Sequence, residues 1–417
     1  MSKYNFDQLV DRKNTASYKW DVKDNELPMW VADMDFHVLP EVKEAINKRN
    51  EIDAYGYCKC PEEFFVSHAN WWNRRHHTNI KPEEMVFSTG VVASIDSLFK
   101  HLLPKGSNVV TLVPVYHVFF HCIKNNGLNE LDSELRYQNG EYHINFDELE
   151  ILLKQENTSC LLLCNPHNPV GRIFSLDELK KIVALCEKYN VLIVSDEIHC
   201  DITEPGTEYN SIFLATDKAI ALWSTTKAFN LAGIHTSVIA CKDEELLKRI
   251  EEGLGQDDIG EPNYFAPYAA IAALEHGEQW NQEMREYVYN NKKYMMDYLK
   301  DNLPELYLVD NKATYLLWLD VSAYTNDSEA FGEVLRITTG LFVSPGKQFG
   351  KGGETFIRIN IATSSDNVKD ACKRLSKFVK EYSHSLKVYG CLKDGDTGQD
   401  YKEMIGEEIL ARNAQKN

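Results

Sequence analysis

A lysine and an aspartate follow two apolar runs of this chain. Lys227 lies in the segment STTKAFNLAG, and Asp196 lies in the segment VSDEIH. The preceding runs, 219–223 and 191–194, predict buried strands that end side by side. An amine can bond covalently to an aldehyde as a Schiff base, and a carboxylate can pair with a pyridinium nitrogen. Together the two groups could hold pyridoxal 5'-phosphate (PLP) from opposite ends, although a lone lysine there is usually solvated and a lone aspartate usually caps a helix.

The bulk composition excludes several classes of protein. The chain has 417 residues, with 43% apolar and 26% charged residues, which suits a large soluble domain plus a smaller one. A net charge of -18 argues against nucleic acid as a partner. The start is polar and no apolar run is long enough to span a bilayer, so we expect neither a signal peptide nor a membrane segment.

Cysteine usage favours a reducing compartment. The ten cysteines are scattered along the chain, which is typical of a cytoplasmic protein. Cys58 and Cys60 form a single C-x-C with no second pair nearby, so we expect no metal site.

Short apolar runs alternate with helical stretches from Met85 onward. This alternation predicts a mostly parallel sheet covered by helices on both faces. Before Met85, helical periodicity covers about 40–50 and 61–77. Residues 1–40 are mostly irregular, and we expect their large side chains to be exposed, as at Trp20, Met29, Trp30 and Phe36. The apolar runs are 108–113, 160–164, 191–195, 219–223 and 236–240, and the helices between them include 91–103, 115–126 and 175–189.

The pattern changes after about residue 255. A long charged helical stretch, 277–302, precedes short strands and helices that predict a smaller α+β domain. We therefore divide the chain into an N-terminal segment that packs on the small domain, a large domain, a small domain and a tail without assigned function, in which 402–414 could form an amphipathic helix. The bounds are 1–45, 46–285, 286–383 and 384–417.

Several segments together resemble fold-type I PLP enzymes. Within that group the chain resembles the MalY/PatB class of cystathionine β-lyases (C–S lyases), which is related to class I/II aminotransferases. The first segment is the most specific to the class, whereas the NPxNPxG and lysine segments are shared with many aminotransferases. The resemblance implies an α/β fold like that of aspartate aminotransferase, with a mostly parallel seven-stranded sheet between helices and a smaller α+β domain. The segments are PMWVADMDF (28–36), YGY (55–57), NPHNPVG (165–171), SDEIHCD (195–201), STTKAFNLAG (224–233) and FIRINIAT (356–363).

The resemblance also implies roles for residues around the cofactor ring. Lys227 binds the cofactor and, once freed by substrate, takes the proton from the substrate Cα, while Asp196 pairs with the pyridinium nitrogen. Asn168 hydrogen-bonds the phenolic oxygen of the cofactor, and Tyr116 stacks on the ring. His199 stands where many aminotransferases carry a tyrosine, and it either bonds to the cofactor or packs beside it.

The cofactor phosphate needs backbone donors and hydroxyl groups. The segment TGVVA follows a strand and opens a helix, so the N–H groups of Val91 and Val92 form a candidate anion site. The hydroxyls of Ser224 and Thr226 lie beside the lysine. Many aminotransferases carry an arginine at the position of His235, so we expect neutral donors to dominate here.

Three further residues are assigned to the substrate and to a second subunit. Arg358 alternates with apolar residues on a strand and can bind a carboxylate in a two-point fork, which matches the family arginine for the substrate α-carboxylate. Tyr57 matches a tyrosine that reaches the cofactor and substrate of the neighbouring subunit, which implies a homodimer; Tyr55 is a nearby alternative. Ala32 is expected to contact the substrate through its backbone.

The residues do not decide between two reactions. Transamination and β-elimination both begin by removal of the proton from Cα. The resemblance implies elimination, in which L-cystathionine or a related L-cysteine S-conjugate gives a thiol, pyruvate and ammonia. An aminotransferase and a PLP-binding regulatory protein that acts through a protein partner remain the alternatives.

Overall fold

A computed structural model describes residues 3–389, so the helix expected at 402–414 lies outside the described residues. The strands are β1 Leu27–Pro28, β2 Met85–Ser88, β3 Asn108–Val113, β4 Asn129–Glu134, β5 Arg136–Gln138, β6 Glu141–His143, β7 Thr158–Cys164, β8 Leu192–Asp196, β9 Ile220–Trp223, β10 Ser237–Cys241, β11 Tyr307–Leu308, β12 Leu316–Asp320, β13 Leu341–Phe342, β14 Ser344–Pro345 and β15 Phe356–Asn360. The helices are α1 Pro40–Asn50, α2 Glu62–His76, α3 Val91–Leu102, α4 Val118–Asn125, α5 Phe146–Leu153, α6 Leu176–Tyr189, α7 Thr225–Ala228, α8 Glu244–Gln256, α9 Ala266–His276, α10 Glu278–Asn302, α11 Ser328–Thr339 and α12 Ser365–Tyr389.

A seven-stranded sheet forms the centre of the large part of the chain. Its order is β2-β10-β9-β8-β7-β3-β4, and β10 runs antiparallel to both of its neighbours while the other pairs are parallel. The predicted fold class, with a mostly parallel sheet of seven strands between helices, is therefore confirmed. The apolar runs of the sequence correspond to the inner strands because these are buried on both faces.

Side chains of the central strands alternate between two apolar layers. On β7, Cys160, Leu162 and Cys164 belong to the layer covered by α3, α4 and α8. Leu161 and Leu163 point into the opposite layer, to which α2, α6 and α9 contribute. This alternation fixes the register of each strand, because a shift by one residue would exchange the two faces.

A four-stranded antiparallel sheet, in the order β11-β12-β15-β14, lies in the C-terminal part of the described chain. The N-terminal segment reaches this part, because Leu27 and Pro28 of β1 pair in parallel with Leu341 and Phe342 of β13. The helix expected at 277–302 is α10, Glu278–Asn302.

The large side chains of the N-terminal segment are not exposed as expected. Met29 and Phe36 are buried, and Trp20 and Trp30 are partly buried. The Trp30 ring stacks on Phe342 with 4.7 Å between ring centroids. The expectation of exposure was wrong because of contacts that local periodicity does not reveal. Trp30 packs on Phe342 and Phe36 on Tyr287, while Trp20 Nε1 donates to Asp35 Oδ1.

The carboxyl ends of the inner strands meet at one edge of the central sheet. Cys164 at the end of β7 is paired with Asp196 at the end of β8, and Asp196 is paired with Leu222 of β9. The loops that leave these strands therefore place the predicted site residues close together. Within residues 3–389, none of the helices combines the length and the apolar character that crossing a bilayer takes.

Candidate active site

A cavity of about 560 Å³ opens at this edge of the sheet. Many of the predicted site residues line it, whereas a larger surface groove of about 740 Å³, between the N-terminal segment and α11, contains none of them. The lining residues of the cavity are Ala32, Thr89, Gly90, Val91, Val92, Ala93, Asp96, Tyr116, Cys164, Asn168, Asp196, Ile198, His199, Lys227, Ala232 and His235.

Lys227 extends into the cavity from the short helix α7. Ser224 begins this helix, because its Oγ accepts a hydrogen bond from the Thr226 N–H at 3.1 Å. The Lys227 Nζ donates to the carbonyl oxygen of Ala32 at 2.7 Å. Burial lowers the pKa of this amine to about 8, and the nearby Asp33 carboxylate opposes that shift. A substantial share of the amine is therefore neutral near pH 7–8, as a nucleophile or base requires.

Asp196 ends β8 and faces the same cavity. Its Oδ1 accepts a hydrogen bond from the Ile198 N–H at 3.1 Å. Burial raises the pKa of the carboxyl to about 7, and the Ile198 N–H and the charge of Lys227 act in the opposite direction. A cationic ring nitrogen beside it would stabilise the carboxylate and keep its own proton.

Arg358 joins the small sheet to the NPHNPVG turn. Its Nη1 donates to Asn168 Oδ1 at 3.0 Å, and its Nη2 donates to the Trp30 carbonyl at 3.1 Å. Burial lowers the pKa of the guanidinium to about 10, and its Nε is buried without a partner. Among the ion pairs of residues 3–389, none involves this guanidinium, so its charge is available to an anionic ligand.

His199 and Tyr116 contribute the aromatic walls of the cavity. The His199 ring is buried, its Nδ1 has no hydrogen-bond partner, and burial lowers its pKa to about 3. It is therefore a neutral imidazole with a polar atom left to satisfy. Tyr116 follows β3 and Pro114, and burial raises the pKa of its hydroxyl.

The candidate anion end consists of the start of α3. Thr89, Gly90, Val91 and Val92 line the cavity where this helix begins, so free N–H groups and the positive end of the helix dipole face it. His235, which stands where many aminotransferases carry an arginine, also lines the cavity.

Ser224 and Thr226 do not line the cavity. The Ser224 hydroxyl donates to the Thr236 carbonyl at 2.6 Å and lies 2.7 Å from the Thr226 hydroxyl. The structure thus places them behind the lysine, where they fix the start of α7.

Tyr57 is fully exposed and lies outside the cavity of its own chain. Tyr55, the alternative, donates a hydrogen bond to Asn50 Oδ1 at 2.6 Å and packs against Tyr264. Neither tyrosine reaches Lys227 within one chain.

Sequence reasoning missed two residues that hold the loop around Ala32. Tyr315 donates to the Ala32 carbonyl at 3.1 Å, and the Asn360 amide donates to the carbonyls of Val31 and Asp33, both at 2.6 Å. The one available signal was that Asn360 shares a strand face with Arg358. Tyr315 precedes an apolar run, and nothing in the sequence distinguishes it from a tyrosine of the core.

The cavity combines a buried amine, a buried carboxylate, a helix N-terminus and an unsatisfied imidazole at the edge of a parallel sheet. This donor set fits PLP, because each polar part of that cofactor finds a complementary group: amine for aldehyde, carboxylate for pyridinium, and backbone N–H groups for phosphate. The fold and the site thus define a PLP-dependent enzyme of the aminotransferase fold.

The comparisons with known proteins give the family. The aminotransferase class I and II family profile matches residues 27–375, and the chain belongs to this family. The chain is 33% identical to cystathionine β-lyase PatB of Bacillus subtilis (strain 168) over 89% of this chain and 98% of the relative. It is 28% identical to protein MalY of Escherichia coli (strain K12) over 86% of this chain and 94% of the relative.

Solved structures give the same result. Cystalysin from Treponema denticola, which contains PLP, superposes with a TM-score of 0.87 at 31% identity over 91% of this chain and 99% of that chain. A PLP-bound C–S lyase from Staphylococcus hominis superposes with a TM-score of 0.85 at 31% identity over 89% of this chain and 97% of that chain.

Proposed function

We propose that this protein is a PLP-dependent carbon–sulfur β-lyase. It cleaves L-cystathionine or related L-cysteine S-conjugates, and with one water each thioether gives a thiol, pyruvate and ammonia. The observation that carries this proposal is the 33% identity to a cystathionine β-lyase over 98% of that protein's length. The amine and carboxylate of the cavity, and the Arg358 guanidinium that donates to the lining residue Asn168, supply the groups that such a reaction needs.

When bound, PLP would supply an electron sink for the charge left on the substrate Cα as its proton departs. The proton moves to Nζ of Lys227, whose pKa of about 8 keeps a neutral fraction at working pH. The Ala32 carbonyl, 2.7 Å from Nζ, then stabilises the ammonium that results.

Four groups hold the cofactor ring in this proposal. Asp196 pairs with the ring nitrogen, Asn168 and His199 bond the phenolic oxygen, and Tyr116 covers one face. The Asn168 Oδ1 already accepts from Arg358, so its Nδ2 is the atom that donates to the cofactor. The unpartnered Nδ1 of His199 supports a direct polar role for that ring.

The phosphate and the substrate carboxylate occupy opposite ends of the site. The N–H groups of Val91 and Val92 bind the phosphate, while Ser224 and Thr226, which lie outside the cavity, act by fixing the start of α7. Arg358 binds the α-carboxylate of the substrate. Its guanidinium is buried and its hydrogen-bond acceptors, the Asn168 amide and the Trp30 carbonyl, are neutral, so its positive charge is left for an anion. The Ala32 backbone contacts the substrate beside it.

The complete site belongs to a homodimer in the cytoplasm. Tyr57 is fully exposed in an irregular segment, and Ile52 and Tyr55 beside it are also exposed, which supports a second copy as the surface they cover. Tyr57 then enters the neighbouring site. The nine described cysteines are all free thiols, which suits a reducing compartment.

The test is product analysis with purified protein, PLP and L-cystathionine. We expect pyruvate and a new thiol in equal amounts, and a Lys227→Ala variant should release neither. Rapid amino transfer to a 2-oxo acid without pyruvate would replace this proposal with an aminotransferase. A cellular effect that persists in Lys227→Ala would instead support a regulatory protein.

A further inference from the structure

The loop that carries Ala32 is fixed on both sides of that residue. The Asn360 side chain donates to the carbonyls of Val31 and Asp33, both at 2.6 Å, and the Asn360 N–H donates to the Met29 carbonyl at 2.8 Å. One buried asparagine at the end of β15 thus clamps the peptide units that flank Ala32. The Ala32 carbonyl therefore has little freedom to turn.

Two donors from distant parts of the chain converge on the Ala32 carbonyl. Lys227 Nζ lies 2.7 Å from the oxygen, and the Tyr315 hydroxyl lies 3.1 Å from it. A carbonyl oxygen has two lone pairs and can accept both bonds at once. Tyr315 is fully buried immediately before β12, and its hydroxyl remains protonated because burial raises its pKa.

The Ala32 carbonyl can orient the Lys227 amine when the lysine acts as a base. The four-carbon chain of the lysine is flexible, so a freed amine loses orientation unless something holds it. A neutral amine can donate one N–H to the Ala32 oxygen and direct its lone pair to a substrate proton. Once protonated, the amine donates to the same oxygen through a stronger, charge-assisted bond.

We propose that Tyr315 is a positioning residue for Lys227 in the reaction assigned above. Its hydroxyl fixes the direction of the Ala32 carbonyl, and that carbonyl fixes the amine that moves the proton. The inference rests on the proposed function for its place in the reaction, but the bonds of Tyr315 and Lys227 to the Ala32 carbonyl do not depend on which amino acid is the substrate.

The first experiment compares Tyr315→Phe with a matched control. Tyr315→Phe removes only the hydroxyl, and we expect kcat to fall about tenfold or more while KM changes less than about twofold, because orientation of the base is lost but substrate binding is not. Tyr142→Phe is the control: this tyrosine is also buried, and its hydroxyl accepts from Trp318 Nε1 at 2.9 Å outside the cavity. Its kcat should stay within about twofold of the original. Tyr315→His, which restores a ring donor, should recover part of the lost rate.

The second readout needs no turnover. Cofactor-free protein is mixed with PLP across a pH series, and capture by Lys227 is followed by visible absorption and by borohydride trapping. The Tyr315→Phe change leaves the Ala32 oxygen to the ammonium alone, so the midpoint for capture should move to higher pH. A purely structural role of Tyr315 would lower the melting temperature in parallel with Tyr142→Phe and leave this midpoint in place.

Each outcome decides the proposal. Unchanged kcat and an unchanged capture midpoint in folded Tyr315→Phe refute it; Tyr315→Met, which also lacks the hydroxyl, takes the same test if the first variant does not fold. If the unmodified protein releases no pyruvate from any thioether, the proposed function fails, while the capture midpoint still tests the role of Tyr315.

Discussion

Burial drives the charged groups of the site toward their neutral forms. It lowers the pKa of Lys227 to about 8 and raises that of Asp196 to about 7, while the pKa of His199 falls to about 3. The amine and the acid can therefore each change protonation state near neutral pH. The site is therefore adjusted for proton transfer before any ligand contributes.

The pH dependence of cofactor capture should report the pKa of the Lys227 amine. Only the neutral amine attacks an aldehyde, so the capture rate should rise through a midpoint near pH 8. The positive charge of Arg358 lowers the pKa of Lys227, so Arg358→Met should move this midpoint upward. Stopped-flow absorption across pH 6 to about 10 measures both. A midpoint that stays fixed in Arg358→Met would contradict the coupling between the two charges.

Arg358→Lys should weaken substrate binding while the charge remains. Lysine presents a point charge in place of a planar fork, so one of two hydrogen bonds to a carboxylate is lost. We expect KM to rise about 10–100-fold, the effect of one charge-assisted bond, with a smaller change in kcat. Steady-state kinetics with L-cystathionine measures this, and an amine substrate that lacks the carboxylate should be affected little. Equal losses for both substrates would remove Arg358 from carboxylate recognition.

His68 should make the folded state sensitive to acid. The ring is buried, stacks on Trp72, and burial lowers its pKa to about 4. Below the ordinary histidine pKa the unfolded chain binds a proton that the folded chain does not, so this contribution to stability is lost as pH falls from about 6.5 toward 4. In His68→Gln, the pH dependence should flatten by up to about 1.4 kcal/mol per pH unit. Urea unfolding of both proteins at pH 7 and pH 5 measures the difference, and parallel curves would exclude a buried neutral His68.

At the scale of elements, sequence patterns predicted the strands that are buried on both faces. They missed the polar edge strand and the contacts between residues far apart in the chain. The inner strands β3, β7, β8, β9 and β10 correspond to apolar runs. The edge strand β4, NELDSE, has no apolar run because only Ser133 of its residues is buried. The domain bounds at 45, 285 and 383 remain predictions.

The lysine and aspartate could be predicted because each follows its strand directly in sequence. The loop of residues 29–36 could not be placed, because its partners lie far along the chain: Lys227 is 195 positions from Ala32, and Tyr315 is 283 positions from it. Hydrogen bonds of that range depend on how the two sheets pack, which no local pattern encodes. For the same reason the hydrogen bonds of Asn360 and Tyr315 to this loop could not be predicted.

The packing of the N-terminal segment should depend on a buried cluster of ion pairs. Lys19 Nζ lies 3.0 Å from Asp35 Oδ2 with its side chain 0% exposed, and Arg12 bonds both Asp33 and Asp35. Lys19→Met leaves a buried carboxylate short of one cation, so the free energy of unfolding should fall by about 3–5 kcal/mol. Because this segment carries Ala32, the affinity for PLP should fall as well.

Lys13→Ala serves as the control for that prediction. Its pair with Asp24 spans 3.3 Å, but Asp24 is fully exposed, so the loss of stability should be much smaller than in Lys19→Met. Chemical unfolding and PLP titration measure both variants. Equal stability of the Lys19 and Lys13 variants would show that the buried cluster is not needed to hold the segment.

At the scale of the whole molecule, the described chain leaves one part of its proposed site on the outside. The cavity contains the amine, the carboxylate and the helix N-terminus, while Tyr57 lies fully exposed elsewhere. A homodimer with two-fold symmetry would bring each Tyr57 to the other subunit, because the same surface patch is then used twice. The assembly would explain why an aromatic residue is kept on an exposed irregular segment.

Mixed dimers test whether Tyr57 acts in the neighbouring subunit. Chains that carry Tyr57→Ala are co-expressed with chains that carry Lys227→Ala under different tags, and the hybrid is purified by both tags. In the hybrid, one site combines an intact Lys227 from one chain with an intact Tyr57 from the other, so about half of the unmodified activity per dimer should return. Lys227→Ala homodimers should be inactive, and Tyr57→Ala homodimers should be weakly active with a raised KM. If Tyr57 served the site of its own chain, no hybrid site would be intact. The hybrid would then show at most about half the activity of the Tyr57→Ala homodimer, and a monomer in solution scattering would exclude the arrangement altogether.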